Sequence, residues 1–264
     1  MASRLLIIGL HRVGTPPPNA KIRGLFISPP LLEFALALVQ KMNFRFVTLS
    51  DAVSSPVGNR CVLTFDDGYE DNLIDALPVL QKFGAPATVF AITNDVGKRR
   101  VVWSEASEDL PADLLSWEAL DYLRRREGWE IGSHCHDHIH LARRSAAEQE
   151  QTIARSIKEI KTRLGVAPQS FAYPYGSYNQ ITRQILSQQN IRCAVTTRQT
   201  LLADLSPTSA DLLELPRVSL GGRLAHHYGK TLSRMAKAVG ATAILKAFLN
   251  SPTANVSAAL LRES

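Results

Sequence analysis

Cysteine is scarce in this chain of 264 residues, which contains only Cys61, Cys135 and Cys193. Their number is odd and their spacing is wide, whereas a small protein held together by disulfides needs an even and closely spaced set. The pattern therefore excludes a disulfide scaffold and is typical of a protein kept in a reducing compartment.

Long apolar runs are also missing. No run approaches the roughly 18 to 20 apolar residues that a membrane-spanning helix requires. The apolar stretch 5–10 is too short for a secretory signal, and His11 and Arg12 end it. We therefore predict no transmembrane segment and a cytoplasmic location, at the inner face of the membrane if the substrate is a glycolipid.

Signals for nucleotide binding are absent as well. Charged residues make up 20% of the chain with a net charge of +6, and the arginines form short clusters rather than a long basic stripe. We therefore expect no nucleic-acid partner. Neither G-x-G-x-x-G nor G-x-x-x-x-G-K-[ST] occurs, so dinucleotide-binding and P-loop proteins lose their main support.

What the chain does contain is a regular alternation of short apolar runs with helix-like segments. The predicted strands are 5–10, 44–49, 60–65, 87–92, 129–133, 170–173, 194–197 and 215–218. The predicted helices are 31–42, 72–83, 117–126, 146–164 and 179–189. This alternation indicates βαβ units and a parallel sheet. Unusual polar residues follow several strands, at the edge where (β/α) barrels build active sites.

Two adjacent carboxylates, Asp66 and Asp67, follow the predicted strand 60–65 and precede Gly68. Because neighbouring carboxylates repel each other, a bound cation would explain the pair. The alternative is an ordinary turn, since Asp-Gly is a common turn pair.

A histidine cluster follows the predicted strand 129–133, with four of the seven histidines within 134–140. In a helical turn or a compact loop, His134 and His138 could bind one metal ion, whereas an extended strand would put all four on one face. An exposed loop that binds metal adventitiously is the alternative. One carboxylate and two histidines would form a facial triad for a divalent ion, and the second carboxylate could accept a proton from water.

Three segments, in chain order, resemble the motifs of one family. TFDDGY at 64–69, EIGSHCHDH at 130–138 and FAYPYG at 171–176 are similar to the first three motifs of the polysaccharide deacetylases. This is carbohydrate esterase family 4, also called the NodB-homology family. Cys135 stands where serine or threonine is usual, and it could bind metal or have a structural role. The resemblance covers roughly residues 5–220.

The resemblance implies a fold and an activity. The implied fold is α/β, a single distorted (β/α) barrel of about seven strands over residues 1–222, with a helical extension at 223–264 packed on it. The implied activity is metal-dependent removal of the N-acetyl group from an N-acetylated polysaccharide, oligosaccharide or glycolipid precursor. Two alternatives stay open: a hydrolase of the same fold that acts on a non-sugar amide, and a non-catalytic carbohydrate-binding protein.

The family motifs also imply roles for single residues. Asp66 would be the general base. Asp67, His134 and His138 would bind one divalent ion, with zinc expected first and cobalt or nickel as alternatives. The backbone N–H of Tyr175 would help to hold the oxyanion, which is the usual use of a fixed donor at such a site.

The third motif is also expected to shape the sugar groove. Tyr173, Pro174 and Tyr175 are the residues that we assign to this groove. The alternative for Tyr173 is a place in the protein core.

The chain departs from the common family pattern at two positions. The usual late Leu-x-His motif is not evident, but Gly-Leu-His-Arg-Val at 9–13 resembles the early histidine motif of the circularly permuted poly-N-acetylglucosamine deacetylases. His11 is therefore the expected general acid, unless it merely caps a strand. The third motif has Ala172 where many relatives have arginine. Arg217 could supply that charge from another strand, or it could be an ordinary surface arginine.

Overall fold

The computed structural model describes residues 4–100, 111–199, 203–204 and 211–220. The predicted helical extension at 223–264 lies outside the described residues. Within these described ranges, no helix is both long enough and apolar enough to cross a membrane.

Seven parallel strands of the described residues close into a barrel. They are β1 (Arg4–Leu10), β2 (Asn59–Phe65), β3 (Thr88–Ala91), β4 (Glu130–Ser133), β5 (Ser170–Ala172), β6 (Cys193–Gln199) and β7 (Leu215–Ser219). Neighbours in the chain are neighbours in the barrel, and β1 closes it by pairing in parallel with both β2 and β7. This arrangement confirms the predicted (β/α) barrel of seven strands.

Helices connect the strands on the outside of the barrel and at one of its ends. They are α1 (Pro29–Lys41), α2 (Leu49–Ser54), α3 (Leu77–Gln81), α4 (Trp117–Arg126), α5 (Ala146–Leu164) and α6 (Gln180–Gln188). A π-helix covers Asn72–Ala76, and 3-10 helices cover Arg23–Leu25, Leu141–Arg143, Pro174–Gly176 and Leu212–Glu214. Short strands complete the set: Arg12–Val13 with Phe26–Ile27, Arg45–Phe46 beside β2, Arg99–Arg100 with Ala112–Asp113, and Ala203–Asp204 beside β1.

Local sequence explains the ends of most helices. Ser145 and Glu148 form a capping box at the start of α5, and Gly165 ends this helix in the left-handed conformation. The predicted helix 72–83 is instead divided into the π-helix and α3, because Pro78 has no N–H to donate within a continuous helix. The predicted strand 44–49 was too long, since Thr48 caps α2 by accepting from the Asp51 N–H.

The core has two layers, because the strands are covered on both faces. Inside the barrel, Leu5, Ile7 and Val62 pack with Leu49 of α2, which closes the end where the strands begin. Outside, alternate residues of the same strands pack against the helices. Strands buried on both sides read as the continuous apolar runs noted in the sequence. The opposite end, where all seven strands finish, is therefore left to polar side chains.

Candidate active site

The ends of β2 and β4 bring three predicted metal ligands together. The Asp67 carboxylate oxygen lies 3.4 Å from His134 Nε2 and 3.5 Å from His138 Nε2. The ligand atoms of all three side chains lie within 4.8 Å of one another. Each of these side chains is at least 96% buried, so the group is withdrawn from bulk water.

The neighbouring strand β5 orients His134. Its Nδ1 lies 2.7 Å from the carbonyl oxygen of Ala172. Because a carbonyl can only accept, Nδ1 carries a hydrogen, and Nε2 is the ring nitrogen that faces Asp67. A backbone partner of this kind is typical of histidines that bind metal.

The histidine loop is compact, and is neither a helix nor a strand. Cys135 turns the chain at φ +66°. His136 points away from the three ligands, with its Nδ1 2.9 Å from Thr93 Oγ1 and 3.3 Å from Glu159 Oε2. Of the geometries that the sequence left open, the structure therefore has the compact loop, with His134 and His138 on the same side.

Cys135 has a structural environment. Its side chain is fully buried in an apolar cluster with Phe171 and Ile153. Burial raises the pKa of the thiol well above its ordinary value, so the group stays a neutral thiol. These contacts favour the structural role over metal binding.

The chemistry of the donor set fits a divalent metal ion. Two imidazole nitrogens and one carboxylate oxygen are ligands that zinc, cobalt and nickel accept. Burial opposes ionisation of Asp67, but its hydrogen bond with His134 outweighs burial and holds its pKa below the ordinary value. Burial lowers the pKa of His138 to about 4, so this imidazole is neutral and has a lone pair to offer at neutral pH.

Asp66 forms a buried ion pair with Arg217 of β7. Both guanidinium nitrogens Nη1 and Nη2 donate to the carboxylate, each at 2.7 Å. Arg217 is 5% exposed and also donates to Thr64 Oγ1 and to the carbonyl oxygen of Thr196. These contacts rule out the alternative of a surface arginine and show that a guanidinium holds Asp66 although the third motif has Ala172.

The pair has an electrostatic consequence for Asp66. Burial alone would raise the pKa of this carboxyl, but the charge and hydrogen bonds of Arg217 outweigh burial, and the pKa lies below its ordinary value. Asp66 is therefore a carboxylate at neutral pH, which is the form that a general base needs.

His11, the first residue after β1, lies beside these carboxylates. Its Nε2 is 3.8 Å from Asp66 Oδ2. Burial lowers the pKa of His11, and the charges of Asp66 and Asp67 oppose this effect. The N-terminal strand thus brings His11 to the same mouth of the barrel as the first two motifs, while its role as an acid stays a prediction.

The third motif divides between core and site. Tyr173 is 1% exposed, stacks on Tyr178 at 4.3 Å and donates its hydroxyl to the carbonyl oxygen of Leu213. This burial favours the core alternative for Tyr173 over the predicted groove, and Pro174 is buried too.

Tyr175 is the member of this motif that reaches the site. It is half-buried, and its backbone has φ +57°. Its ring lies 4.3 Å from the ring of His138 and stacks on His140 at 4.1 Å. The oxyanion role of its N–H stays a prediction.

Sequence reasoning missed two residues that hold this site. Thr64 accepts from Arg217, and Asn72 donates to the backbone of His11. Thr64 lies inside the quoted first motif, so its position was a usable signal. Asn72 had no signal, because its partner lies 61 residues away.

Comparisons with known proteins identify the family of this chain. The sequence profile of the polysaccharide deacetylase family matches residues 55–194. YxkH of Bacillus subtilis (strain 168), whose name places it in the same family, is 32% identical over 139 residues. This match covers 52% of the chain and 45% of YxkH, so the chain spans less than half the length of that relative.

Two further relatives cover more of the chain. The poly-beta-1,6-N-acetyl-D-glucosamine N-deacetylase of Staphylococcus aureus (strain MRSA252) is 23% identical over 222 residues, covering 79% of this chain and 72% of the relative. The structure of IcaB from Ammonifex degensii has a TM-score of 0.73 at 24% identity, with 90% of this chain and 97% of that chain covered. At this identity the structural likeness concerns the fold. Since the family profile covers more than half of the sequence, the chain belongs to the polysaccharide deacetylase family, whose members are hydrolases of carbon–nitrogen bonds other than peptide bonds.

Proposed function

We propose that this protein is a metal-dependent deacetylase that hydrolyses the N-acetyl group of an N-acetylated saccharide. The observation that carries the proposal is the juxtaposition of two buried groups at one barrel mouth. One is the ligand set of Asp67, His134 and His138. The other is the ionised Asp66, paired with Arg217 at 2.7 Å.

The ligand set would hold one divalent ion, with zinc expected first and cobalt or nickel as alternatives. When bound, such an ion polarises the acetyl carbonyl and lowers the pKa of water. Two features of the protein prepare the histidine ligands before the ion binds. The Ala172 carbonyl orients His134, and burial keeps His138 neutral.

Asp66 would take the proton from the attacking water. Its pKa lies below the ordinary value, so it is ionised over the whole neutral range. Arg217 holds both carboxylate oxygens and so restricts rotation of the group. A positioned base of this kind contributes about 10²- to 10⁴-fold to a rate.

Two other groups would complete the reaction. The amine of the substrate is a poor leaving group until it is protonated, and His11 is the histidine beside Asp66 that can deliver the proton. The backbone N–H of Tyr175 would donate to the negative charge that develops on the acetyl oxygen. Its ring, packed on His138 and His140, holds this backbone segment in place.

The saccharide is supported by family membership and by the relatives. The S. aureus relative is named for deacetylation of poly-beta-1,6-N-acetyl-D-glucosamine. An N-acetylated polysaccharide, oligosaccharide or glycolipid precursor is therefore the substrate class that we propose. The absence of arginine at position 172 gives the non-catalytic alternative some weight, and the pairing of Arg217 with Asp66 supports the catalytic proposal instead.

The test is acetate release from a panel of substrates by protein loaded with zinc, cobalt or nickel. We expect release from N-acetylglucosamine oligomers with β-1,4 or β-1,6 linkages, and much less from small non-sugar amides. Protein treated with a chelator is the control. Release from small amides alone would replace the saccharide with the non-sugar alternative, and no release from either group would reject the deacetylase function.

A further inference from the structure

The segment that carries His11 is held by side chains that follow the Asp66-Asp67 motif. Asn72 Nδ2 donates to the carbonyl oxygen of His11 at 2.8 Å. Asp71 Oδ1 accepts from the N–H of Val13 at 3.1 Å, and Asp71 Oδ2 accepts from Arg12 Nε at 2.8 Å. Each of the three consecutive residues 11–13 is therefore bonded to Asp71 or Asn72.

The two holding side chains are themselves fixed. Asn72 is completely buried at the start of the π-helix Asn72–Ala76, and its amide also donates to Asp71 Oδ1 at 3.1 Å. On the other side, the guanidinium of Arg12 lies 4.4 Å from the ring of Phe26 and 4.8 Å from that of Tyr69. The contact between the two segments is thus a network rather than one isolated hydrogen bond.

His11 needs such support because β1 ends at Leu10. The carbonyl oxygen of His11 lies beyond the part of β1 that pairs with β2. Asn72 donates to this oxygen, in place of the neighbouring strand that pairs with residues 4–10. The same short stretch of chain, 66–72, also contains Asp66 and Asp67. The segment that contains the two carboxylates therefore also fixes the position of His11.

We propose that Asn72, assisted by Asp71, is a positioning residue that sets the His11 imidazole at the distance needed to protonate the leaving amine. The inference rests on the proposed function. In the reaction, Asp66 takes a proton from water, the water oxygen bonds to the acetyl carbon, and the carbon–nitrogen bond breaks. Asp66 passes this proton to His11 Nε2, 3.8 Å away. The electron pair of the broken bond stays on nitrogen, which receives the proton from His11, so the products are acetate and an amine.

The proposal is specific for the amine leaving group. An activated ester such as 4-nitrophenyl acetate releases 4-nitrophenolate, which leaves without a proton. A misplaced His11 should therefore slow the amide much more than the ester, whereas damage to the metal ligands or to Asp66 should slow both. A displacement of 1 Å can cost about 10²-fold in rate.

The experiment compares wild type with Asn72→Ala on an N-acetylated chito-oligosaccharide and on 4-nitrophenyl acetate. We expect kcat for the amide to fall about 10²-fold, with a much smaller fall for the ester and with KM and metal content close to those of the wild type. His11→Gln should have the same signature with a larger effect. Asn94→Ala is the matched control, because Asn94 donates to Asp137 and not to the His11 segment, and it should leave the ratio of the two rates unchanged.

A crystal structure of Asn72→Ala supplies a readout other than activity. We expect His11 to lie farther from Asp66 than the present 3.8 Å, with Asp67, His134 and His138 in place. If Asn72→Ala does not fold, Asp71→Asn tests the same network, since it keeps the size of the side chain but loses the charge that holds Arg12.

Two results would overturn the inference alone: an equal fall for amide and ester, or an unmoved His11, in either case with a wild type that deacetylates. A wild type that cleaves the ester but no N-acetylated compound would instead reject the proposed function, and the displacement of His11 would still be measurable.

Discussion

The two ends of the barrel place left-handed backbone on different residues. Where helices return to the strands, the turns with positive φ use Asn43, Gly58, Gly84, Gly128, Gly165 and Asn190. Glycine and asparagine adopt this conformation at little cost. Where the strands finish, three of the positions with positive φ are Asp67, Cys135 and Tyr175, at 71°, 66° and 57°. These residues carry a backbone cost that is characteristic of functional sites.

The hydrogen-bond partners of charged side chains also differ between the two ends. At the closed end, Arg60 donates to the carbonyl oxygens of Ala52 and Gly58, a few residues away. Glu130 accepts there from the N–H of Ser50 at 2.9 Å. At the open end, Asp66 and Arg217 are 151 residues apart in the sequence and form an ion pair. The charged side chains at the closed end thus bond to neutral backbone groups, whereas at the open end two opposite charges bond to each other.

The largest effect should come from the metal ligands at the open end. We expect Asp67→Ala to remove the bound metal and with it almost all activity, because the remaining two histidines are a weak site. Metal content by mass spectrometry checks this. The matched control is His136→Ala in the same loop, which should keep its metal because His136 bonds to Thr93 instead. Full metal occupancy in Asp67→Ala would contradict the assignment.

Asp66→Asn should have the next largest effect. The variant keeps the shape of the side chain and leaves the three ligands intact, so metal content should stay at the wild-type level. Loss of the base should lower kcat by about 10²- to 10⁴-fold. Steady-state kinetics on metal-loaded protein measures this fall. Turnover equal to that of the wild type would remove Asp66 from the role of base.

Arg217→Met tests the buried pair through pH. Without the guanidinium, burial is no longer offset and the pKa of Asp66 rises, so the acidic limb of the kcat/KM profile should move to higher pH. Because the pKa of Asp66 is lower in the folded wild type than in the unfolded chain, the ionised carboxylate stabilises the fold at any pH above the unfolded pKa. This stabilisation is lost as the pH falls through the folded pKa. The variant should therefore also be less stable at pH 7, by about 3 kcal/mol.

A matched arginine separates this effect from a general loss of charge. Arg198 on β6 has a side chain that is 61% exposed and lies 4.0 Å from Glu214. Arg198→Met should cost less than about 1 kcal/mol in urea unfolding and leave the acidic limb where it is. An equal shift of the acidic limb in both variants would show that Asp66 is not controlled by Arg217.

The smallest effect is expected at the closed end. Gly165 has φ +74°, and a Cβ added there would meet no atom within 4 Å. Gly165→Ala should therefore lower the free energy of unfolding by about 1 kcal/mol, from backbone strain alone, with kcat and KM unchanged. The neighbouring Val166→Ala, at an exposed position, is the control. A change in kcat would mean that the two ends are less independent than their contacts indicate.

Much of the fold could be predicted because its signals are local. The helices 117–126 and 146–164 were predicted at their observed bounds, since apolar spacing and capping residues lie within the segments themselves. The barrel was implied by family motifs and by the alternation of strands and helices. The split at Pro78 was missed because the apolar pattern continues through it, although the proline does interrupt the hydrogen bonds.

For the candidate site, too, local motifs could be predicted and distant contacts could not. The sequence by itself determined which side chains are the candidate metal ligands, because Asp67, His134 and His138 lie in short motifs at strand ends. Only the tertiary structure decided that Arg217 holds Asp66, that Tyr173 belongs to the core and that Asn72 holds the His11 segment. The physical reason is that a motif records which side chains are present, whereas closure of the barrel brings together strands from opposite ends of the chain and so selects their partners.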